Sequence, residues 1–452
     1  MVNRRNFLAA WFAPRQPLNF ILILVDDWGG TDASCYGSSF YRTPNIDKLA
    51  DSGMRFTQAY SACTVCSPSR AAILTGKYPA RLHITDWIAG HKRPFAKMSV
   101  PDWRMYLPLE ERTIAEALKP AGYATAHIGK WHLTPPGGDA SYLPDKQGFD
   151  VNIGGTHRGQ PPSYFSPYGI ETLVDGPKGE YLTDREQMEA SKFIRDNKDR
   201  PFFIYLPHYT VHTPLQAKKD TIEKYRALAD AKAPQHNPVY AAMIESLDEN
   251  IGQLMATLEQ TGVADRTVVL LTGDNGGLIS STNTNLGMRA GKGSAYEGGV
   301  RVPMIVRWPG VAAAGSVNAT PVIGCDLYPT IVELAGQKLL PNQIVDGQSM
   351  AGLLKGGRMK RDDLYWHYPH YHPGGATPYS AIRHGDWKLI EFHEDHRAEL
   401  YNMRVDPEEK LDVSTKEPRM KRDLLRRLES WRRKVGAQMP TVNPNYDAEK
   451  NK

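Results

Sequence analysis

Residues 66 to 76 read Cys-Ser-Pro-Ser-Arg-Ala-Ala-Ile-Leu-Thr-Gly. Pro68 suits the first turn of a helix, Ala71 to Leu74 continue it, and Gly76 can end it. Cys66 then stands at a helix N-terminus, where unpaired backbone amides and the positive end of the dipole favour an anion. Arg70, one turn on, can aim a guanidinium fork at the same anion. The chemistry expected of this segment is an oxyanion bound over residue 66. Cys63-Thr-Val-Cys66 also has the spacing of a redox pair or of half a zinc site. The only other cysteines are Cys35 and Cys325, so no second pair exists, and neither alternative accounts for Pro-Ser-Arg.

Asp26-Asp27 and Asp274-Asn275 each follow an apolar run. Either pair alone could be a solvated turn. Together, three carboxylates and an amide form a hard oxygen donor set suited to Ca²⁺ or Mg²⁺. Lys130 and His132, separated by Trp131, point the same way if the segment from Gly129 to Leu133 is extended. His208 and His212 follow a third apolar run, with His208 the better fit to a purely structural role. Lys292 lies between Gly291 and Gly293. The plain alternatives are a surface lysine, a structural histidine and a flexible loop tip.

These residues must be positioned by the elements before them. Asn19 to Val25, Pro201 to Pro207 and Thr267 to Thr272 are apolar runs rich in branched or aromatic side chains, as expected of strands covered on both faces. Helical spacing marks Ile114 to Leu118, Asp184 to Asp196 and Tyr240 to Gln260. The alternation predicts an α/β fold: a large, mainly parallel sheet sandwiched by helices, with ligands collected beyond the carboxyl ends of its strands. From Leu364 the texture changes to alternating aromatic segments and then a charged helix from about Glu417 to Lys434, read as a small C-terminal antiparallel sheet plus helix. The expected organisation is an N-terminal extension or signal remnant over 1–18, a catalytic domain over 19–355 and a small α+β subdomain over 356–452.

Cys66-x-Pro68-Ser69-Arg70 with Thr75-Gly76 resembles the signature of the formylglycine-dependent, arylsulfatase-like sulfatases of the alkaline phosphatase superfamily. Asn19 to Asp27, Thr43-Pro-Asn-Ile-Asp-Lys-Leu49, Gly129-Lys-Trp-His-Leu133, Gly148-Phe-Asp150, Thr272-Gly-Asp-Asn275 and Gly291-Lys-Gly with Glu297-Gly-Gly-Val-Arg-Val-Pro303 resemble further blocks of that family, in its order. The resemblance implies an alkaline phosphatase-like fold. It also implies that a formylglycine-generating enzyme converts Cys66 to an aldehyde that hydrates to a geminal diol. One calcium ion per chain, with magnesium as the alternative, would be held by Asp26, Asp27, Asp274, Asn275 and residue 66. Arg70, Lys130 and Lys292 would offset charge on the sulfate oxygens, His132 would act as a base on residue 66, and His212 with Lys292 would protonate the leaving alcohol.

Tyr365 to His372 is dense in aromatics and histidines. His367, His370 and His372 are therefore expected to bind a sulfated saccharide, with a galactose-type sugar as one candidate. A strand packed on the main domain, or a three-histidine zinc site, is the competing reading. The competing functions are a phosphate or phosphonate ester hydrolase of the same superfamily and a catalytically dead glycan-binding relative.

With 452 residues, 41% of them hydrophobic, the chain can bury a large core. A net charge of +5 without a basic stripe gives no ground for a nucleic-acid partner, and no stretch reaches the length of a membrane span. The start, Arg4-Arg5-Asn6-Phe7-Leu8, resembles a twin-arginine signal and predicts export to the periplasm or the medium; a polar N-terminal extension is the alternative.

Overall fold

The structure, a computed structural model, describes residues 17–282 and 285–451. The twin-arginine-like stretch lies outside the described residues. The main sheet is built from β1 (Asn19–Val25), β2 (Met54–Phe56), β3 (Ala124–Ile128), β4 (Val151–Ile153), β5 (Phe202–Pro207), β6 (Thr267–Gly273), β7 (Met304–Arg307) and β8 (Ser316–Asn318). Their order across the sheet is β8-β2-β7-β6-β1-β5-β3-β4, and only β7 runs antiparallel to its neighbours.

The unbroken apolar run of β1 is explained by the two cores it serves. Ile21, Ile23 and Val25 point into one cluster, and Phe20, Leu22 and Leu24 into the other, all fully buried. The first cluster is closed by α3 (Leu182–Asn197) and α4 (Pro238–Gln260). The second is closed by α1 (Cys66–Thr75), α2 (Ile114–Leu118) and α5 (Leu327–Leu334). Helix α4 begins two residues before the expected Tyr240: Pro238 opens it, and the Asn237 side chain caps the amides of Val239 and Tyr240.

Beyond this lies the small antiparallel sheet of β9 (Leu364–Tyr368), β10 (Tyr379–His384), β11 (Trp387–Phe392) and β12 (Ala398–Asn402), with α6 (Pro418–Val435) against it through Leu424, Leu428 and Trp431. Its core is continuous with residues of the main body, among them Tyr60, Ala62 and Val65 just ahead of α1. A buried ionic triad reinforces the junction: Lys388 Nζ lies 2.9 Å from Glu297 Oε1 and 2.8 Å from Glu409 Oε1.

Candidate active site

Four neighbouring parallel strands, β6, β1, β5 and β3, end at one edge, and their register aligns the residues just beyond them. Val25 pairs with Gly273, so Asp26-Asp27 and Asp274-Asn275 emerge side by side. Leu24 pairs with Pro207, which sets the loop from His208 to His212 next to them. Lys130, after β3, donates its amide to the Pro207 carbonyl at 2.7 Å. Parallel register alone therefore gathers residues up to 248 positions apart in sequence.

Helix α1 points its N-terminus at this edge. All ten of its residues are buried, Cys66 is the first of them, and Val65 ahead of it supplies no side-chain cap, so the first amides stay open for an anion. Gly76 ends the helix at φ 71°. Cys66 Sγ is 3.3 Å from His132 Nδ1. The other ring nitrogen, Nε2, meets the Ile88 carbonyl, which requires the proton on Nε2 and leaves Nδ1 as an acceptor facing residue 66. Burial, with Lys130 adding to it, holds His132 well below the usual histidine range, so the ring is neutral. Asp27 and His132 both adopt left-handed backbone, at φ 56° and 60°. Such strain in non-glycine residues is held only by firm surroundings and concentrates at functional sites.

The carboxylates are matched by cations. Lys130 Nζ is 2.6 Å from Asp26 Oδ2, and Lys292 Nζ is 2.6 Å from Asp27 Oδ1. Arg70 is anchored on the carboxylate side: Nε donates to Asp274 Oδ2 at 3.0 Å and Nη1 to the Lys130 carbonyl at 2.8 Å, while Nη2, 2.9 Å from Asp274 Oδ2 and 3.7 Å from Asp26 Oδ2, has no hydrogen-bond partner among the described residues. A fully buried guanidinium needs a carboxylate partner, and Asp274 provides it. Burial raises the Asp26 carboxyl, and neighbouring Asp274 adds to that, so it lies well above its ordinary range. Burial acts the same way on Asp27, but Lys292, His212 and Lys130 outweigh it and hold that group low.

Three buried oxygens at this edge, Asp26 Oδ1, Asp27 Oδ2 and Asn275 Oδ1, have no hydrogen-bond partner among the described residues. Asn275 instead donates its Nδ2 to Asp27 Oδ1 at 2.8 Å. Orphaned acceptors of this kind are costly unless something fills the place between them, and an oxygen-only donor set suits a hard divalent cation. Asp26, Asp27 and His212 form the one group among the described residues whose ligand atoms lie within 4.8 Å of each other. His212 is the poor member: its Nδ1 lies 2.9 Å from the Thr213 carbonyl and its Nε2 faces Lys292 Nζ at 3.4 Å. His367, His370 and His372 form no such group among the described residues.

Above Cys66 opens a pocket of about 370 Å³, walled by His132, His212 and Lys292 together with Trp87, Gln160 and His372. Of the three predicted sugar-binding histidines, His372 alone reaches it. His367 sits on β9 opposite Ser380, bonded to Ser380 Oγ and the Gln438 carbonyl, each at 2.8 Å. His370 bonds Thr85 Oγ1 at 2.8 Å and packs on Trp103. Neither ring lines the pocket over Cys66: both nitrogens of His367 are bonded internally, and His370 is bonded through Nε2 with its Nδ1 buried and without a partner among the described residues. His208 is buried and paired with Glu186 at 2.6 Å. Trp87 and Gln160 carried no motif or spacing that marked them. A larger cavity of about 890 Å³ between α6 and the main body lies away from this chemistry. The glycines around Lys292 do not make a flexible tip: Gly293 has φ 89°, and a Cβ there would run into the His372 ring.

A helix N-terminus, opposed charges and a neutral base converging at the carboxyl edge of a parallel sheet define a hydrolase of anionic esters on an alkaline phosphatase-like fold. Comparison with known proteins makes the class specific. The family model described as Sulfatase matches residues 18–337, and the model described as N-sulphoglucosamine sulphohydrolase, C-terminal, matches residues 291–434. A protein of Formosa agariphila named Sulfatase is 34% identical, covering 89% of this chain and 85% of its own length. Arylsulfatase A of Homo sapiens is 34% identical, covering 85% and 77%. The solved structure of Ps i-CgsB in complex with k-i-k-neocarrahexaose matches with a TM-score of 0.78 at 31% identity, covering 96% of both chains. The chain belongs to the sulfatase family and is a sulfuric ester hydrolase. Among the described residues no helix is long and apolar enough to cross a membrane.

Proposed function

We propose that this sulfatase removes sulfate from a sulfated saccharide, with Cys66 matured to formylglycine beside one calcium ion held by Asp26, Asp27, Asp274 and Asn275. The observation that carries the reading is the set of three orphaned oxygens at the carboxyl edge of the sheet, an edge tied through Arg70 and Asp274 to a helix whose first residue faces a neutral imidazole. Formally, Asp26, Asp27 and Asp274 cancel Arg70, Lys130 and Lys292. A divalent cation would then leave the site with a net positive charge suited to a singly charged sulfate ester, whereas a doubly charged phosphate ester favours a second metal. When formed, formylglycine supplies a hydrated aldehyde, whose oxygen is a better nucleophile than a plain hydroxyl and which can release sulfate by reverting to the carbonyl.

The chain's own residues do the rest. His132, neutral and with its Nδ1 lone pair toward residue 66, takes a proton from the group there. His212 is pulled down to about 3 by burial; Asp27 opposes that pull and Lys292 adds to it. Its neutral ring therefore carries the proton on Nδ1 and accepts from Lys292 on Nε2. The Lys292–His212 pair is the proton source for the departing alkoxide, and Lys292 lines the pocket while Arg70 and Lys130 lie beneath it, steadying Asp274 and Asp26. Trp87 and His372, meeting edge to face at 5.7 Å, provide a wall for a sugar ring. The saccharide-bound relative Ps i-CgsB supports that substrate class. The Arg4-Arg5 start supports export, and maturation calls for a formylglycine-generating enzyme.

The test compares 4-nitrophenyl sulfate with 4-nitrophenyl phosphate, using matured protein with calcium and after chelation. Calcium-dependent turnover of the sulfate is expected. Equal or faster turnover of the phosphate would overturn the reading.

A further inference from the structure

The cavity of about 890 Å³ beside α6 has a chemistry of its own. Six of its lining side chains are lysine or arginine and three are aspartate, a net charge of +3 where the whole chain carries +5. It lies at the end of α1 remote from Cys66. Tyr78 and Arg81 in its wall follow the terminating Gly76, and the Gly76 carbonyl accepts the amides of Asp346 and Gly347 at 2.8 and 3.1 Å. The ten-residue helix in between is about 15 Å long.

The inner cations are already matched. Arg81 is held by Asp346 at 2.9 and 2.6 Å, and Arg361 by Asp326 at 2.6 Å. The outer ones are not. Lys360 and Lys434, both exposed, make no ion pair or hydrogen bond through their ammonium groups among the described residues, and Arg426 pairs with Asp423 of its own helix alone. Aromatic rings share the same wall: Tyr365 stacks on Trp431 at 4.6 Å with 3° between the planes, and Tyr78 stands edge-on to both. The buried Trp431 Nε1 has no partner among the described residues. Unmatched cations beside aromatic rings suit a polymer that alternates anionic groups with apolar sugar faces.

We propose that this cavity binds a sulfated polysaccharide chain, as an anchoring site separate from the pocket over Cys66. The proposal rests on the sulfated-saccharide reading above and extends it to a polymer. Nucleic acid offers the same sign of charge, but the sulfated chain is the polyanion that a member of the sulfatase family meets.

The experiment measures retardation of the full chain in gels cast with ι-carrageenan, chondroitin sulfate or heparin, against unsulfated agarose and against single-stranded DNA. The parent is compared with a cavity variant, Lys360→Gln/Arg426→Gln/Lys434→Gln. A control variant, Arg195→Gln/Lys198→Gln/Lys219→Gln, removes the same charge from exposed positions outside the cavity. At least one sulfated polysaccharide should bind parent and control alike and the cavity variant roughly tenfold more weakly, the loss expected when three solvent-facing charge contacts go together. Urea midpoints report folding, and Lys360→Gln/Lys434→Gln, which breaks no ion pair, replaces the triple variant if its midpoint falls. Equal retardation of parent and cavity variant would overturn the site, as would an equal loss in the control or DNA held as tightly as every sulfated polysaccharide. Residue 66 plays no part in this binding, so protein carrying the unmodified thiol serves. A failure here leaves the sulfatase reading intact, whereas absence of 4-nitrophenyl sulfate turnover by matured enzyme would strike the proposed function itself.

Discussion

Replacing Arg70 by methionine tests whether the guanidinium holds the metal-side carboxylates or reaches for sulfate. The side chain is fully buried, and methionine keeps an unbranched apolar stem in its place. Lost are the two contacts to Asp274 Oδ2, at 3.0 and 2.9 Å, and the one to the Lys130 carbonyl at 2.8 Å. Breaking a buried ion pair from one side costs about 3–5 kcal/mol, and the stranded carbonyl about 1 kcal/mol more. The sum of about 4–6 kcal/mol is a large part of an ordinary folding stability of about 5–15 kcal/mol. Urea unfolding followed by tryptophan fluorescence, first in chelator and then in calcium, reads this directly. Calcium at about 100 times its dissociation constant adds about 2.7 kcal/mol to the parent. It should add more to the variant, because the cation there also offsets the charge that Arg70 had balanced. A loss below about 1 kcal/mol in chelator would refute this account of Arg70, as would an equal calcium increment in both proteins.

Other outcomes rest on the same geometry. His132→Gln should lower kcat on 4-nitrophenyl sulfate by roughly 10²–10⁴, the usual contribution of a positioned base, with little change in KM or thermal midpoint; a kcat within a few-fold of the parent would contradict the base role. Gly293→Ala forces a side chain at φ 89° into the His372 ring beside Lys292, so kcat/KM should fall at least tenfold and stability by more than about 1 kcal/mol, and unchanged steady-state kinetics would speak against it. Lys388→Met leaves Glu297 and Glu409 facing each other in the junction of the two sheets. It should cost about 3–5 kcal/mol in a melting experiment, and much of that should return when both glutamates are also made apolar.

The strands that carry the site were readable because each has an unbroken apolar run, and β1 shows why: its alternate residues serve two different cores. The oxygen ligands were readable because polar residues at the ends of such runs fall at the carboxyl edge of a parallel sheet. What pattern could not reveal is which partner a side chain chooses once neighbours from distant segments arrive. Arg70 sits one turn after Cys66, which suggests a reach toward the anion; that its Nε is held by Asp274, 204 residues away in sequence, is a partner that no local spacing reveals. His367 and His370 share a dense aromatic segment with His372, but strand pairing turns one toward Ser380 and packing turns the other toward Thr85. Trp87 and Gln160 belong to loops without periodicity, and only the closed fold brings them over Cys66.

The most direct test of the central claim is the mass of the peptide containing residue 66, taken from enzyme produced with and without a formylglycine-generating enzyme and assayed in parallel on 4-nitrophenyl sulfate. The account predicts that turnover rises in proportion to the fraction of residue 66 present as aldehyde and is absent in Cys66→Ser. Full turnover from protein whose residue 66 is entirely unmodified thiol would contradict it.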